Sequence, residues 1–193
     1  MKKELDQQID FIHEIDKLKY INRMTCLFNS NRNENDAEHS WHLCMMALVL
    51  APQSEEKLDM LKVLKMLLIH DIVEIDAGDT FLFDTKKNHN NTEEELAAAQ
   101  RIFGLLPAAQ AQELITIWQE FEAAESAEAK FAKAIDRLAP MMQNATNNGG
   151  TWAQHNVPYE TVIEKKKRIK EGSETLWAYA KDLVDKHYGK SSR

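Results

Sequence analysis

The feature that most constrains this chain is an apolar run, Leu64–Ile69, that ends directly in the ionisable pair His70 and Asp71. An imidazole and a carboxylate are costly to bury without partners, and side by side they suit a divalent metal ion. His39 and Asp136 offer two further groups of the same types. The order His, His-Asp, Asp along the chain is typical of a metal site.

Composition and apolar spacing predict an all-α fold. The chain has 193 residues with only 6 glycines and 4 prolines, which argues against disorder and against a turn-rich β protein. A chain of this length can bury one hydrophobic core without staples. Helical spacing and capping residues predict helices over 5–15, 36–51, about 55–74, from 92, 107–124, 126–146, 158–171 and 173–187. Asp36 and Ser126 are the predicted caps of the second and sixth of these helices, and the sixth has one apolar stripe of Phe131, Ile135, Leu138 and Met142. Residues 17–35 are expected to be an irregular connection and residues 77–91 a long loop.

The acidic balance limits the partners of the chain. A formal net charge of -7 repels a phosphate backbone, so we expect no nucleic acid polymer as partner. No stretch approaches the roughly 18 uncharged apolar residues of a membrane helix, and the charged start Met1–Asp6 does not resemble a signal peptide. We therefore expect no membrane partner and a cytoplasmic location. The basic run Lys165–Arg168 is interpreted as a solvated helix face.

The residues alone leave the metal and the acid–base groups open. Imidazole and carboxylate ligands suit Mn, Fe, Co, Ni or Zn, and composition cannot choose among them. Glu74 follows His70 by four positions and Asp71 by three, so it shares their helix face and could reach a bound water or a substrate. It could also be a solvated carboxylate at a helix end. Asp79, after Gly78, could be an ordinary turn residue or a second acid–base group carried by the loop.

Taken together, these motifs resemble a known family. Glu38–Ser40, the segment His70–Asp79 with the form HDxxExxxGD, and Asp136 look like the HD superfamily of metal-dependent phosphohydrolases, and within it the 5′-deoxynucleotidase group. Further segments similar to the helical half of that group are Leu105–Pro107, Trp118–Glu122 and Ser126–Phe131. The resemblance covers about residues 5–145, and the combination of motifs is specific.

The resemblance assigns roles to individual residues. It implies metal ligands at His39, His70, Asp71 and Asp136, catalytic carboxylates at Glu74 and Asp79, and a substrate contact at Arg23. Glu74 and Asp79 could exchange the roles of base and acid. Met24 follows Arg23 where the best known bacterial members have a Trp that helps to select deoxyribose, so the sugar preference stays open.

The resemblance also implies an architecture and an activity. We expect a single-domain HD-type helical bundle over residues 1–188, with a metal-site core at about 36–145, C-terminal helices at about 158–188 and a disordered tail at 189–193. The implied enzyme is a homodimeric phosphatase that converts small-molecule nucleotides, (deoxy)nucleoside 5′-monophosphates, to nucleoside and phosphate. It would use one divalent ion (Mn, Co, Ni, Mg, Fe or Zn), because binuclear relatives need extra His ligands where this chain has only His89.

Two other functions would keep the same motifs. The substrate could be a nucleoside triphosphate or an alarmone, although this short, acidic chain has no obvious basic cluster for a triphosphate. The metal could instead be a structural clip in a non-enzymatic ligand-binding module. Such a module would not require Glu74 and Asp79, and their presence favours an enzyme.

Overall fold

Helices form almost all of the regular structure in the computed structural model, which describes residues 3–78 and 92–190. The α-helices are α1 (Glu4–Ile15), α2 (Asp36–Leu50), α3 (Met60–Ile69), α4 (Glu74–Ala77), α5 (Thr92–Phe103), α6 (Ala108–Ala123), α7 (Ala127–Thr146), α8 (Gly150–Gln154), α9 (Tyr159–Lys166) and α10 (Glu174–His187). Short 3₁₀ helices span Asp16–Tyr20, Ala51–Gln53, His70–Val73 and Lys167–Glu171, and the strands are β1 (Asn22–Cys26) and β2 (Asn33–Asn35). The expected all-α fold is confirmed.

Helix α7 lies at the centre of the bundle. As the sequence predicted, Ser126 caps its start, because the Ser126 Oγ accepts a hydrogen bond at 3.3 Å from the third amide of the helix. The face with Phe131, Ile135 and Leu138 is buried in the main core, and α7 packs against α2, α3, α6 and α10. Asp136 follows directly on an adjacent face. Burial of the apolar face therefore fixes where this carboxylate points.

The stretch 17–35, expected to be irregular, contains a β-hairpin. The strands are antiparallel, with Asn22 paired to Asn35 and Cys26 paired to Asn33. Neither strand alternates apolar and polar residues, so the sequence carried no strand signal. The expectation of an irregular connection was therefore wrong for this part of the chain.

The hairpin turn depends on Asn29, whose φ of 52° lies in the left-handed region that Asn adopts more readily than most residues. The two strands bring Arg23 and Glu34 beside the start of α2. These two charged side chains thus reach the bundle interior from outside the helices.

Helix α2 begins one residue earlier than the predicted cap implies. Asn35, not Asp36, is the N-cap, and its side chain accepts the amide hydrogen bond of Glu38 at 2.9 Å. The Glu38 carboxylate accepts in return from the Asn35 amide at 3.2 Å, which completes a capping box. Asp36 therefore does not cap the helix, and it is fully buried.

The third helix is shorter than the predicted span of 55–74. Asp59 caps it by accepting from the amide of Lys62 at 3.2 Å, so α3 begins at Met60. At its other end the chain tightens into the 3₁₀ helix His70–Val73 before α4 begins. The apolar pattern indicated a helix but did not reveal this change of winding.

The C-terminal helices are more divided than predicted. The span 158–171 comprises α9 and a separate 3₁₀ helix, and no sequence pattern indicated α8. Gly149, with φ of 97°, precedes α8, and a Cβ there would collide with the ring of His187. Gly149 is the N-cap of α8 and Gly150 its first residue, whereas α7 ends earlier, at Thr146.

The chain terminus and the domain limits remain predictions. Lys190 donates from its amide to the carbonyl of Asp185 at 2.8 Å and from its ammonium to Glu160 at 3.0 Å, whereas residues 191–193 lie outside the described residues.

None of the described helices combines the length and apolarity needed to cross a membrane.

The interpretation of the basic run Lys165–Arg168 as a solvated face was wrong for Lys166. Its neighbours in the run are exposed, but Lys166 is only 6% exposed. Burial lowers the pKa of its ammonium to about 8, with Asp136 opposing that shift. A helix turns about 100° per residue, so one member of a charged run can face inward.

We predict that Lys166→Met stabilises the protein in a pH-dependent way. Below about pH 8 the folded and unfolded chains both carry the charge, so its burial costs about 3 kcal/mol at neutral pH. Between about pH 8 and 10.5 the unfolded chain binds more protons, so the stability of the natural chain rises and the advantage of the variant shrinks. Urea unfolding at pH 7 and pH 10 measures both effects.

The matched control is Lys165→Met, because Lys165 is exposed on the same helix. Its stability difference from the natural chain should be small and independent of pH. An equal stability gain for Lys166→Met at both pH values would contradict the prediction.

Candidate metal centre

Three nitrogen and oxygen donors from separate elements converge in the bundle. His39 from α2 and Asp136 from α7 approach with 3.2 Å between Nε2 and Oδ1, and the Nε2 of His70 lies 3.7 Å from the same oxygen. One donor atom from each of the three residues lies within 4.8 Å of the others. The structure therefore brings together residues that the sequence predicted as ligands, although they are up to 97 positions apart.

Asp71, the fourth predicted ligand, borders the same group. Its Oδ1 lies 3.1 Å from the Nε2 of His70, and its Oδ2 accepts a hydrogen bond from Arg23 at 2.7 Å. The carboxylate of Asp71 thus has one oxygen beside His70 and the other bonded to the guanidinium of Arg23.

The 3₁₀ helix explains how consecutive residues serve different sides of the site. With about three residues per turn, side chains at i and i+3 are eclipsed. Asp71 and Glu74 therefore lie on one side, and together with Asp36 they form a second group whose oxygens lie within 4.8 Å of one another. The predicted proximity of Glu74 to Asp71, three positions earlier in the chain, is present in this group.

The two histidines present their inner nitrogens to the cluster. The Nδ1 of His70 donates to the carbonyl of Leu67 at 2.9 Å, and the Nδ1 of His39 lies 3.1 Å from a carboxylate oxygen of Glu34. Hydrogen bonds of this kind on the outer nitrogen orient metal-binding imidazoles. The Nε2 of His70 is buried, with the Oδ1 of Asp71 at 3.1 Å and the Oδ1 of Asp136 at 3.7 Å. Two such nitrogens with carboxylates beside them fit a divalent metal ion.

The charges in the cluster stabilise one another. Burial alone would lower the pKa of His70, but the carboxylates of Asp71 and Asp136 raise it to about 10. Burial would raise the pKa of both carboxyl groups, but the histidines, and for Asp71 also Arg23, hold each pKa below its usual range. The carboxylates are therefore ionised at neutral pH and attract positive charge.

Glu34 is a polar residue of the site that the sequence reasoning missed. It is 1% exposed, and the only clue was a carboxylate in an Asn-rich stretch shortly before His39. Burial would raise its pKa, but His39, Gln143 and Arg23 lower it, so the carboxylate is charged. It accepts from the outer nitrogen of His39 and thereby keeps Nε2 directed at Asp136.

Arg23, the predicted substrate contact, lies inside the site and is paired with carboxylates. Its Nη1 donates to Asp71 at 2.7 Å and to Asp36 at 3.2 Å, and its side chain is 15% exposed. Asp36 was interpreted only as a helix cap, so this contact was also missed. Asp79, the second predicted catalytic carboxylate, lies outside the described residues.

The sequence of this chain matches one family model and is similar to named proteins from other organisms. Residues 15–177 match the family model described as HD domain. The 5′-deoxynucleotidase HDDC2 of Homo sapiens is 29% identical over 136 residues, which cover 70% of this chain but only 65%, less than two thirds, of that protein. The 5′-deoxynucleotidase hdd1 of Schizosaccharomyces pombe is 24% identical over 185 residues, covering 88% of this chain and 92% of that protein.

A solved structure gives a closer match. The crystal structure of a predicted metal-dependent phosphohydrolase from Magnetospirillum magnetotacticum MS-1 is 50% identical in sequence and has a TM-score of 0.91. The match covers 97% of this chain and 94% of that chain. The resemblance that the motifs indicated is thereby confirmed.

We predict that Glu34→Gln weakens divalent metal binding by about 10- to 100-fold, because loss of the charge makes His39 a poorer ligand and frees its orientation. Competition with a chromophoric chelator measures the affinity for Mn²⁺ or Zn²⁺. The ¹⁵N shifts of the His39 ring report its tautomer directly. Glu38→Gln is the control, since Glu38 pairs with Arg32 at the surface and glutamine preserves the capping box. Equal metal affinity in the two variants would refute the role of Glu34.

Proposed function

Because the chain belongs to the HD domain family, we propose that it is a metal-dependent hydrolase that removes the 5′-phosphate from (deoxy)nucleoside monophosphates. The observation that carries this proposal is the convergence of two imidazoles and two carboxylates next to Glu74. Two curated relatives are named 5′-deoxynucleotidases, and a solved structure at 50% identity is described as a metal-dependent phosphohydrolase. These names support the same reaction class.

We propose that His39, His70, Asp71 and Asp136 hold one divalent ion, drawn from Mn, Co, Ni, Mg, Fe and Zn. When bound, such an ion supplies Lewis-acid chemistry that polarises a phosphoryl group and lowers the pKa of water. The absence of thiolates from the ligand set argues against a purely structural zinc site.

The carboxylates would move the protons of the reaction. Glu74 accepts a proton from the water whose oxygen forms the new bond to phosphorus, and its place beside Asp71 supports this role. Asp79 donates a proton to the 5′-oxygen as the bond between phosphorus and that oxygen breaks. The role of Asp79 rests on the motif alone, and the two carboxylates can exchange roles.

Arg23 would orient the substrate phosphate. The Arg23 side chain is 15% exposed, and a guanidinium can contact phosphate oxygens in a planar, bidentate way. Its bonds to Asp36 and Asp71 fix the side chain before substrate arrives, which lowers the entropy cost of the contact.

We propose a homodimer that acts in the cytoplasm. The exposed side of α2 carries Trp41, Met45, Leu48 and Val49, spaced as one apolar row. Rows of this kind often mark interaction sites, and a second copy of this chain is the occupant that the resemblance favours. Leu48→Lys should reduce the mass in sedimentation equilibrium to that of one chain. Leu5→Lys, on the exposed side of α1, should leave the mass unchanged.

The activity is tested by phosphate release from a panel of deoxy- and ribonucleoside 5′-monophosphates with Mn, Co, Mg, Ni and Zn. We expect turnover of monophosphates with at least one of these metals. A nucleoside triphosphate and an alarmone serve as competing substrates in the same panel. Turnover of these alone would favour the other hydrolase function, and no release from any compound would favour the ligand-binding module.

We predict that Glu74→Gln lowers turnover by at least about 100-fold while metal affinity stays close to that of the natural chain. A proton acceptor contributes factors of this size, and Glu74 is not one of the four proposed ligands. Single-turnover kinetics and metal titration separate the two quantities. Asp76→Asn on the same helix is the control, because Asp76 pairs with Arg101 at the surface. Full turnover in Glu74→Gln would reject the assigned role.

A further inference from the structure

Asp71 is shared between two positive positions. Its Oδ1 faces the Nε2 of His70, where the proposed ion binds, and its Oδ2 accepts from the Nη1 of Arg23 at 2.7 Å. Carboxylates that bridge two cations in this way are common in two-metal sites, where the ions lie about 3.5–4 Å apart. Arg23 therefore contacts Oδ2 of Asp71, the carboxylate oxygen that would bind a second ion in such a site.

The surroundings of Arg23 are those of a cation site. Its Nη1 also donates to Asp36 at 3.2 Å, and Asp36 is fully buried. Oxygens of Asp36, Asp71 and Glu74 lie within 4.8 Å of one another, and all-oxygen groups suit Mn²⁺ or Mg²⁺. The guanidinium thus contacts two of the three carboxylates of this group.

The charge of Arg23 is permanent. A guanidinium keeps its proton at any pH at which a protein is folded. A buried group of carboxylates needs compensating charge, because uncompensated burial of one ionised group costs several kcal/mol. A covalently attached cation supplies that charge at any metal concentration.

We propose that Arg23 occupies the second cation position of the site, so that the protein binds one divalent ion instead of two. The inference rests on the proposed function, since it takes the ligand set of the first ion as given. It adds to Arg23 a role that precedes substrate binding: it neutralises Asp36 and Asp71 and keeps Asp71 turned toward the first ion.

The experiment counts Mn²⁺ equivalents by equilibrium dialysis and records Mn²⁺ electron paramagnetic resonance spectra. The natural chain should bind one equivalent and give the spectrum of an isolated ion. Arg23→Ala should bind two equivalents at saturation, and the spectrum should show the magnetic coupling of two neighbouring ions. Neither readout depends on turnover.

Two further variants make the result specific. Arg23→Lys keeps a positive charge and should bind one equivalent, as should Arg23→Ala combined with Asp36→Asn, which removes a ligand of the new site. If Arg23→Ala does not fold, Arg23→Gln replaces it, because glutamine keeps much of the volume and hydrogen bonding without the charge.

The outcomes distinguish this inference from the proposed function. One equivalent in both the natural chain and the charge-removing variant would overturn the role of Arg23 and leave the metal enzyme intact. Two equivalents in the natural chain would also overturn it. No binding to the natural chain would overturn the proposed function, and this inference with it.

Discussion

Mutual compensation of buried charges is the constraint on which this structure depends. His70, Asp71 and Asp136 are each expensive to bury alone, and each is tolerated because the others lie within about one hydrogen-bond length or slightly more. The elements that carry them are held together by the apolar core around α7, so hydrophobic packing supplies the force that brings the charges into contact. The packing of the core therefore has to offset what the burial of these charges costs.

Much of the fold could be predicted from the sequence, because apolar spacing and caps act locally. Ser126 and the stripe through Phe131 and Leu138 identified α7. The hairpin could not be predicted in this way, since Asn22–Cys26 has no strand pattern and its place is set by contacts with distant helices. The inward turn of Lys166 likewise depends on the neighbours of α9 and not on the basic run itself.

The residues of the candidate site also fall into two groups, those that a sequence motif identified and those that only the contacts in the structure reveal. His39, His70 and Asp136 could be found because their order and spacing form a motif, and the structure brings them together. Glu34 and Asp36 belong to no motif that the sequence reasoning used, and their importance follows only from what they contact. A residue that orients a metal ligand is recognised by what it contacts. Contacts between a strand and two helices cannot be inferred from the local spacing of residues in the sequence.

The side chain of Asn147 joins the hairpin to the far end of α7. Its amide donates to the carbonyl of Leu27 at 2.9 Å and its oxygen accepts from the amide of Ser30 at 3.2 Å, across 120 and 117 positions of sequence. Contacts of such long range close a large loop and are slow to form. During synthesis on the ribosome the hairpin can therefore gain these two hydrogen bonds only after Asn147 has emerged, when most of the polypeptide has been made.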